Sequence, residues 1–337
     1  MTELSWLLVG TGDIARKRVA PALAGVTGSH LVGVCDPRQE AAQALAAEYG
    51  GVPVFGDLAT ALRESPAAAV YLATPIHLHA PQAVQALEAG RHVLVEKPLG
   101  LDSRECAAVV AAAARTDRTA GCAYFRRLTP RYRHAQAMLT AGEFGRLVLA
   151  RLVYHSWFDP ARDDPKHWRV VRARSGGGPL SDMGSHMFDV LIGLLGRPVS
   201  VYARCANLVH AWDVEDTASV LMTMRDGVQV TASLSWCAKA WRHEFEIVGT
   251  EAKLDWLPYD SGPITKTVGR QTESLDLPSH ENVHWPLVED FVEAVAAGRP
   301  PACPLAEAAQ TTQLLDAIYQ SAAEDRVIQL SAKESQQ

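Results

Sequence analysis

The sequence lacks the marks of several broad protein classes. It has no C-x-x-C pair: its six cysteines stand at 35, 106, 122, 205, 237 and 303, without zinc-like spacing. Scattered in this way they read as reduced thiols, which points to a cytoplasmic protein rather than a disulfide framework. No apolar run approaches the roughly 18 residues that a membrane span needs. No basic segment followed by an apolar core and a cleavage site opens the chain, so neither a membrane anchor nor a signal peptide is expected. A basic excess is missing as well. With a net charge of −6 there is no surplus to neutralise phosphates, which argues against nucleic acid as a partner. The one basic concentration, Arg126, Arg127, Arg131 and Arg133, reads by itself as a solvated or salt-bridged helix start.

What the chain does have is length. Its 337 residues suffice for two domains, each able to bury a core, and 48% apolar with 21% charged residues places it among soluble globular proteins. Residues 4–15 organise the rest. The apolar run 4–9 reads as a fully buried strand, Gly10-Thr11-Gly12 breaks it, and a helix opens at Asp13-Ile14-Ala15 and runs towards Leu23. This is the strand, glycine turn and helix of a dinucleotide-binding unit. Gly10 allows the turn, Gly12 lets a pyrophosphate approach the backbone, and the small Ala15 lets the helix pack on the strand. The phosphates then face unpaired N–H groups at the positive end of the helix. A glycine pair alone also suits any tight strand-to-helix turn. Asp36 strengthens the nucleotide reading: it closes the apolar run 31–35, about 20 positions on, where a carboxylate accepts hydrogen bonds from the adenosine ribose.

The first half continues as a helix at 38–49, a strand at 53–55, and a strand at 68–73 that ends at Thr74-Pro75. A helix from Pro81 to Gly90 follows, then a strand at 92–95 ending in Glu96-Lys97-Pro98, a helix at 103–115 and a strand at 119–123. Strands alternating with helices of this length predict a doubly wound parallel sheet. From about Leu147 the pattern changes to longer alternating strands at 147–157, 199–205, 217–224, 228–236 and 244–248, with a hairpin signal at Asp226-Gly227. Helices are expected at 180–195, 285–297 and 305–324, the last packing back on the first domain. The fold class is therefore α/β plus α+β: a Rossmann domain at 1–123, a second domain at 124–330 on a large, mostly antiparallel open sheet, and a polar tail at 331–337.

Open α/β sheets bind ligands beyond the carboxyl ends of their strands. That rule gathers Gly10, Gly12, Asp36, Thr74, Pro75, Glu96 and Lys97 along one edge. Position alone leaves Lys97 with two readings: a partly desolvated lysine whose pKa is lowered and which exchanges protons, or a surface lysine at a strand end. Asp182, His186 and Asp189 fall at i, i+4 and i+7, on one helical face, apart from the apolar Met183, Met187, Leu191 and Leu194. A histidine flanked by carboxylates suits a base with an orienting partner. The alternative is a helix cap at Asp182 and an ordinary half-buried His186. Zinc fits less well, since the pair supplies two ligands and nothing points to a third.

These residues resemble the glucose–fructose oxidoreductase, inositol 2-dehydrogenase and rhizopine-catabolism (Gfo/Idh/MocA) family. The resemblance rests on Gly10 to Ala15, on Ala73-Thr74-Pro75 with His79, on Gly90 to Pro98 with its Glu96-Lys97-Pro98, and on the glycine-rich stretch from Gly176 to Asp189. The closing His284-Trp285-Pro286, Phe291 and Asp316 to Tyr319 also look like the family's C-terminal helices. At Arg126 to Pro130 the chain departs from the pattern, with Leu128 where an aromatic often stands.

The resemblance implies an NAD(P)-dependent oxidoreductase that moves a hydride between the nicotinamide and a hydroxyl-bearing carbon of a sugar, inositol or related polyol. It makes Lys97 the active-site lysine and Asp182 with His186 the pair that handles the substrate hydroxyl. Gly10, Gly12, Asp13, Ile14, Asp36, Arg38, Thr74, Pro75, His79, Glu96 and Lys97 fall on the cofactor side; Trp168, Arg169, Arg127 and His186 fall on the substrate side. Asp36 favours NAD over NADP, because a carboxylate repels a 2′-phosphate, and Arg38 softens that preference. Two other activities fit the same resemblance: an NAD-dependent glycosidase or lyase that oxidises transiently with bound cofactor, and a non-catalytic NAD-binding regulator. No metal is expected, and the broad second sheet suggests a homodimer or homotetramer.

Overall fold

A computed structural model describes residues 3–330; the tail expected at 331–337 lies outside the described residues. The described residues form two compact units, 3–128 with 280–312, and 129–279 with 313–330. Along the first segment run β1 (Leu4–Val9), α1 (Ala20–Gly25), β2 (Ser29–Cys35), α2 (Gln39–Glu48), β3 (Val54–Phe55), α3 (Leu58–Glu64), β4 (Ala69–Leu72), α4 (His79–Glu88), β5 (His92–Val95), α5 (Ser103–Thr116) and β6 (Ala120–Cys122). The middle segment holds α6 (Pro130–Thr140), β7 (Leu147–Trp157), α7 (Arg172–Ser175), α8 (Ser185–Leu195), β8 (Pro198–Ala206), β9 (Thr217–Met224), β10 (Gln229–Ser235), β11 (Cys237–Gly249), β12 (Ala252–Trp256), β13 (Ile264–Val268) and β14 (Gln271–Leu275). The chain closes with α9 (Trp285–Ala297), α10 (Leu305–Glu324) and β15 (Ile328–Gln329).

The first unit is a six-stranded parallel sheet in the order β3-β2-β1-β4-β5-β6. This is the doubly wound order, whose direction reverses between β1 and β4 and opens a crevice at their carboxyl ends. Strand alternation divides β1 between two cores: Leu4, Trp6 and Leu8 join Phe291 of α9 on one face, and Leu7 and Val9 join Ala83 and Val109 on the other. A strand buried on both faces must be apolar throughout, which is why β4 and β5 read so plainly as strands. Helix starts are capped by short side chains. Asp57 accepts from Thr60 N–H, and Asp102 accepts from Glu105 N–H while Glu105 returns to Leu101 N–H. The seven-residue α3 was not anticipated, being too short to show a period. After the glycine turn the expected helix divides: residues 15–19 are a wider π turn, and α1 proper begins at Ala20.

The second unit is built on a nine-stranded sheet, β14-β13-β12-β11-β7-β10-β9-β8-β15. Among the described pairs only β7 with β10 is parallel. In β9, Ala218, Val220, Met222 and Met224 point into the core with Met187 and Leu191 of α8, while Leu221 is 56% exposed on the other face. Each fully buried Val or Met is worth about 1.5–3 kcal/mol, so a one-residue slip of this strand would forfeit several such terms and the register is fixed. Gly227, at φ +81, closes the expected hairpin between β9 and β10. β11 is far longer than the expected 244–248, because its first half is exposed and carries Lys239, Trp241 and Arg242. Strands β12 to β14 and β15 were not anticipated. Residues 305–312 of α10 belong to the first unit, where Leu305, Ala308 and Ala309 are core, and the remainder to the second, where Leu314, Leu315 and Ile318 are core.

Candidate active site

In the first unit the expected residues gather at the carboxyl ends of the strands. The turn after β1 is tight: Gly10 has φ +93, and a Cβ there would come 2.7 Å from the Ala73 carbonyl oxygen. Thr11 donates its N–H and its hydroxyl to Asp36 Oδ2, both at 2.8 Å. Arg38 closes on the same carboxylate, its backbone N–H and Nε on Oδ1 at 2.9 and 3.1 Å and its Nη2 on Oδ2 at 3.0 Å. Burial alone would raise the Asp36 pKa; these hydrogen bonds outweigh it and hold the group at about 2. Asp36 therefore ties the glycine turn to Arg38 and is charged at neutral pH. Asp13 is exposed and pairs with Lys17 at 2.8 Å, and Ile14, an apolar side chain, is 38% exposed beside the turn.

Thr74 and Pro75, after β4, are half-buried, and the Thr74 hydroxyl donates to Gln82 Oε1 at 2.7 Å. His79 is 1% exposed, with Nδ1 2.7 Å from the Pro98 carbonyl oxygen and Nε2 2.7 Å from that of Thr74. Burial pushes its pKa down against those two contacts, and a neutral ring donates to one carbonyl at a time. His79 thus joins the loop after β4 to the loop after β5. Glu96 is buried, and its Oε1 accepts from the Tyr71 hydroxyl at 2.8 Å and faces His284 Nε2 at 2.9 Å. The Lys97 N–H donates to Oε2 at 3.3 Å, and the Lys97 side chain is half-buried. Arg127 is buried with its guanidinium on Glu307 of α10.

In the second unit a π turn, Leu180–Gly184, leads directly into α8. Asp182 lies in this wider turn, and His186 and Asp189 lie in α8. The Asp182 side chain is 33% exposed, whereas His186 is 6% and Asp189 0% exposed, the latter two lying among the core residues of α8. Asp182 Oδ1 lies 3.7 Å from Arg169 Nε, and that guanidinium stacks over the Trp168 ring at 4.7 Å. Three of the expected substrate-handling residues are thereby joined in one cluster. Tyr154 of β7 lies within electrostatic reach of Asp182. Burial raises the Tyr154 pKa, the Asp182 and Asp260 charges add to that, and Ser156 and Trp236 oppose it.

Tyr71, Tyr154 and Glu215 stand in no motif of the sequence, and His284 stands only in a C-terminal one. Each acts through partners distant in the chain, and no local pattern marks such a role.

Two family models match in tandem: the oxidoreductase family, NAD-binding Rossmann fold, over residues 4–124, and the GFO/IDH/MocA C-terminal domain over residues 132–255. The chain belongs to the GFO/IDH/MocA oxidoreductase family. Its relatives include oxidoreductase P35 of Formosa agariphila, 25% identical over 94% of this chain and 98% of that one. Inositol 2-dehydrogenase 1 of Saccharopolyspora erythraea is 31% identical over 57% and 54%. Among solved structures, the WlbA dehydrogenase of Bordetella pertussis, in complex with NADH and UDP-GlcNAcA, shares the fold at a TM-score of 0.85 and 24% identity, covering 98% and 100%.

Family membership makes the first unit an NAD-binding domain, and its residues fit that cofactor. A Cβ built on Gly12 meets nothing within 4 Å, so the space over the turn is open. An aspartate charged at neutral pH lies beyond the turn. Among the described residues no helix is long and apolar enough to cross a membrane.

Proposed function

We propose that the chain is an NAD(P)-dependent dehydrogenase of a sugar, inositol or related polyol. The observation that carries this reading is the Trp168–Arg169–Asp182 cluster at the start of the helix bearing His186, in a chain whose first unit is an NAD-binding domain. The relatives' names, an inositol dehydrogenase among them, support the substrate class.

The roles divide as follows. Gly10, Gly12, Asp13 and Ile14 hold the pyrophosphate side of the dinucleotide at the helix start, Asp36 and Arg38 the adenosine ribose, and Thr74, Pro75 and Lys97 the nicotinamide side. His79 and Glu96 fix the loops that carry Thr74 and Lys97. When bound, the nicotinamide supplies the hydride chemistry. As the substrate's carbinol carbon gives up its hydride, the hydroxyl proton passes to the His186 imidazole. Asp182 orients that ring and balances its charge, and Lys97 donates a hydrogen bond to the substrate oxygen. Arg169, braced on Trp168, supplies donors for neighbouring hydroxyls, and Arg127 supports the substrate side through Glu307.

The open face of the second sheet, with Leu149 and Leu221 exposed, supports a homodimer or homotetramer. The free cysteines suit a cytoplasmic protein. A screen for cofactor reduction across inositols, aldoses, glycosides and amino sugars tests the activity: reduction by a polyol supports it, and bound NAD with no turnover on any member sinks it.

A further inference from the structure

We propose that Glu215 and Tyr319 are positioning residues for Asp182 and His186, acting through the Gly176-Gly177-Gly178 turn that precedes them. The inference rests on the roles proposed above for Asp182 and His186. It starts from a missing cap. Pro179 and Gly184 occupy the cap positions of the π turn and of α8, and neither offers a side-chain acceptor to the first N–H groups.

The acceptor comes from elsewhere in the chain. Glu215 Oε1 accepts from Gly178 N–H at 3.0 Å and Leu180 N–H at 3.2 Å, and the Tyr319 hydroxyl donates to the same oxygen at 3.0 Å. A carboxylate at the start of a helix is also favoured by the helix dipole. Glu215 is 3% exposed, with Arg172 Nη2 3.8 Å from its Oε2 and the Arg172 guanidinium 5.3 Å above the Tyr319 ring. The charged and titratable groups facing it are Arg172, Tyr319 and Cys205.

The glycines follow from this contact. A Cβ on Gly177 would lie 1.7 Å from the Tyr319 hydroxyl, and one on Gly178 would lie 1.9 Å from the Glu215 carbonyl oxygen. The run therefore exists to let the turn press against two fixed groups, which makes it a rigid seat. From that seat the chain to the site is short. The Gly178 carbonyl accepts from Asp182 N–H at 3.0 Å, the Ser181 hydroxyl donates to the Ser175 carbonyl at 2.7 Å, and His186 follows one turn later. Moving the seat moves Asp182 first and His186 with it, and a displacement of about 1 Å is enough to cost roughly 100-fold in rate.

The test uses the full chain with Glu215→Gln, Tyr319→Phe and the double variant. The readouts are NADH affinity by fluorescence, kcat and KM on a polyol found in the screen, and the His186 imidazole titration by NMR, assigned by its loss in His186→Gln. Positioning predicts unchanged NADH affinity, kcat lowered about 10- to 100-fold with KM little altered, and a displaced His186 titration. The double variant should be no worse than Glu215→Gln, because the two side chains act as a unit. Should Glu215→Gln fail to fold, Tyr319→Phe, which removes a single oxygen, carries the same readouts. Variants that lose stability but keep wild-type kcat and a wild-type His186 titration overturn the inference. If the wild type oxidises no polyol, the proposed activity fails, and the His186 titration alone decides whether Glu215 positions the ring.

Discussion

His284 Nε2 lies 2.9 Å from Glu96 Oε1, although 188 positions separate the two residues. The carboxylate before Lys97 is thus held from the segment leading into α9 as well as from Tyr71 of β4. Burial alone would raise the Glu96 pKa, but the His284 and Tyr71 hydrogen bonds and the nearby positive charges take it below its usual 4.5. A carboxyl lowered in the folded state contributes stability that is complete above its unfolded pKa and is lost as pH falls through the folded one. His284→Ala removes one of those partners. It should cost on the order of 1.5–3 kcal/mol, the worth of a hydrogen bond to a charged group, and move the acid-unfolding midpoint upward. Urea unfolding at neutral and acid pH measures both; wild-type midpoints in both would refute the role.

Cofactor preference depends on Asp36 and Arg38. Wild type should prefer NAD, since the carboxylate opposes a 2′-phosphate. Arg38, already on that carboxylate, is the group that would meet such a phosphate. Arg38→Ala should therefore raise the NAD-to-NADP ratio of kcat/KM by about tenfold or more, matching the ~1.5–3 kcal/mol of a charge-assisted contact. Asp36→Ser should move the ratio the other way. A ratio unmoved by either change would remove both residues from cofactor selection.

A second carboxylate organises a loop. Asp216 accepts from the backbone N–H groups of Leu208, Val209 and His210, at 2.8 to 3.0 Å. Burial would raise its pKa, and these N–H groups bring it down to about 2 from 3.8. Its stabilisation is complete above about pH 4 and disappears as pH falls towards 2. Asp216→Asn should cost roughly 2 kcal/mol, flatten the acid side of the stability profile, and speed amide exchange at 208–210. Unchanged exchange there would contradict the assignment.

The open sheet face makes assembly measurable. Leu221 is exposed on β9, and Arg151, Thr231 and Ser233 surround it in a groove of about 280 Å³. If this face is a subunit contact, light scattering should give a multiple of 36.5 kDa and Leu221→Glu should lower it. A monodisperse monomer at micromolar concentration would end that reading.

Much of the fold was legible because burial on both faces leaves mostly apolar runs: Leu4–Val9, broken only by Ser5, and Val93–Val95 after His92 stand where the pattern puts them. The polar strand Gln271–Leu275 has four of five residues exposed and offers no alternation to read. The site was legible where its residues are sequential, as in Glu96-Lys97-Pro98 and Trp168-Arg169. It was illegible where support comes from afar. Nothing local shows that His284 serves Glu96 or that Tyr319 and Glu215 meet at a glycine turn.

In the proposed reaction His186 receives the hydroxyl proton while Lys97 polarises the same oxygen. The most direct test is the pH dependence of kcat/KM for nicotinamide reduction by a polyol, in wild type, His186→Ala, Lys97→Ala and Asp182→Asn, with NADH affinity measured for each. His186→Ala and Lys97→Ala should each lose roughly 10²–10⁴ in rate, the usual worth of a positioned acid–base group, with NADH affinity unchanged in His186→Ala and nearly intact in Lys97→Ala, which leaves the adenosine and pyrophosphate contacts in place. His186→Ala should also lose the acid limb of the profile, and Asp182→Asn should cost less. Wild-type turnover and an unchanged pH profile in His186→Ala would contradict the claim.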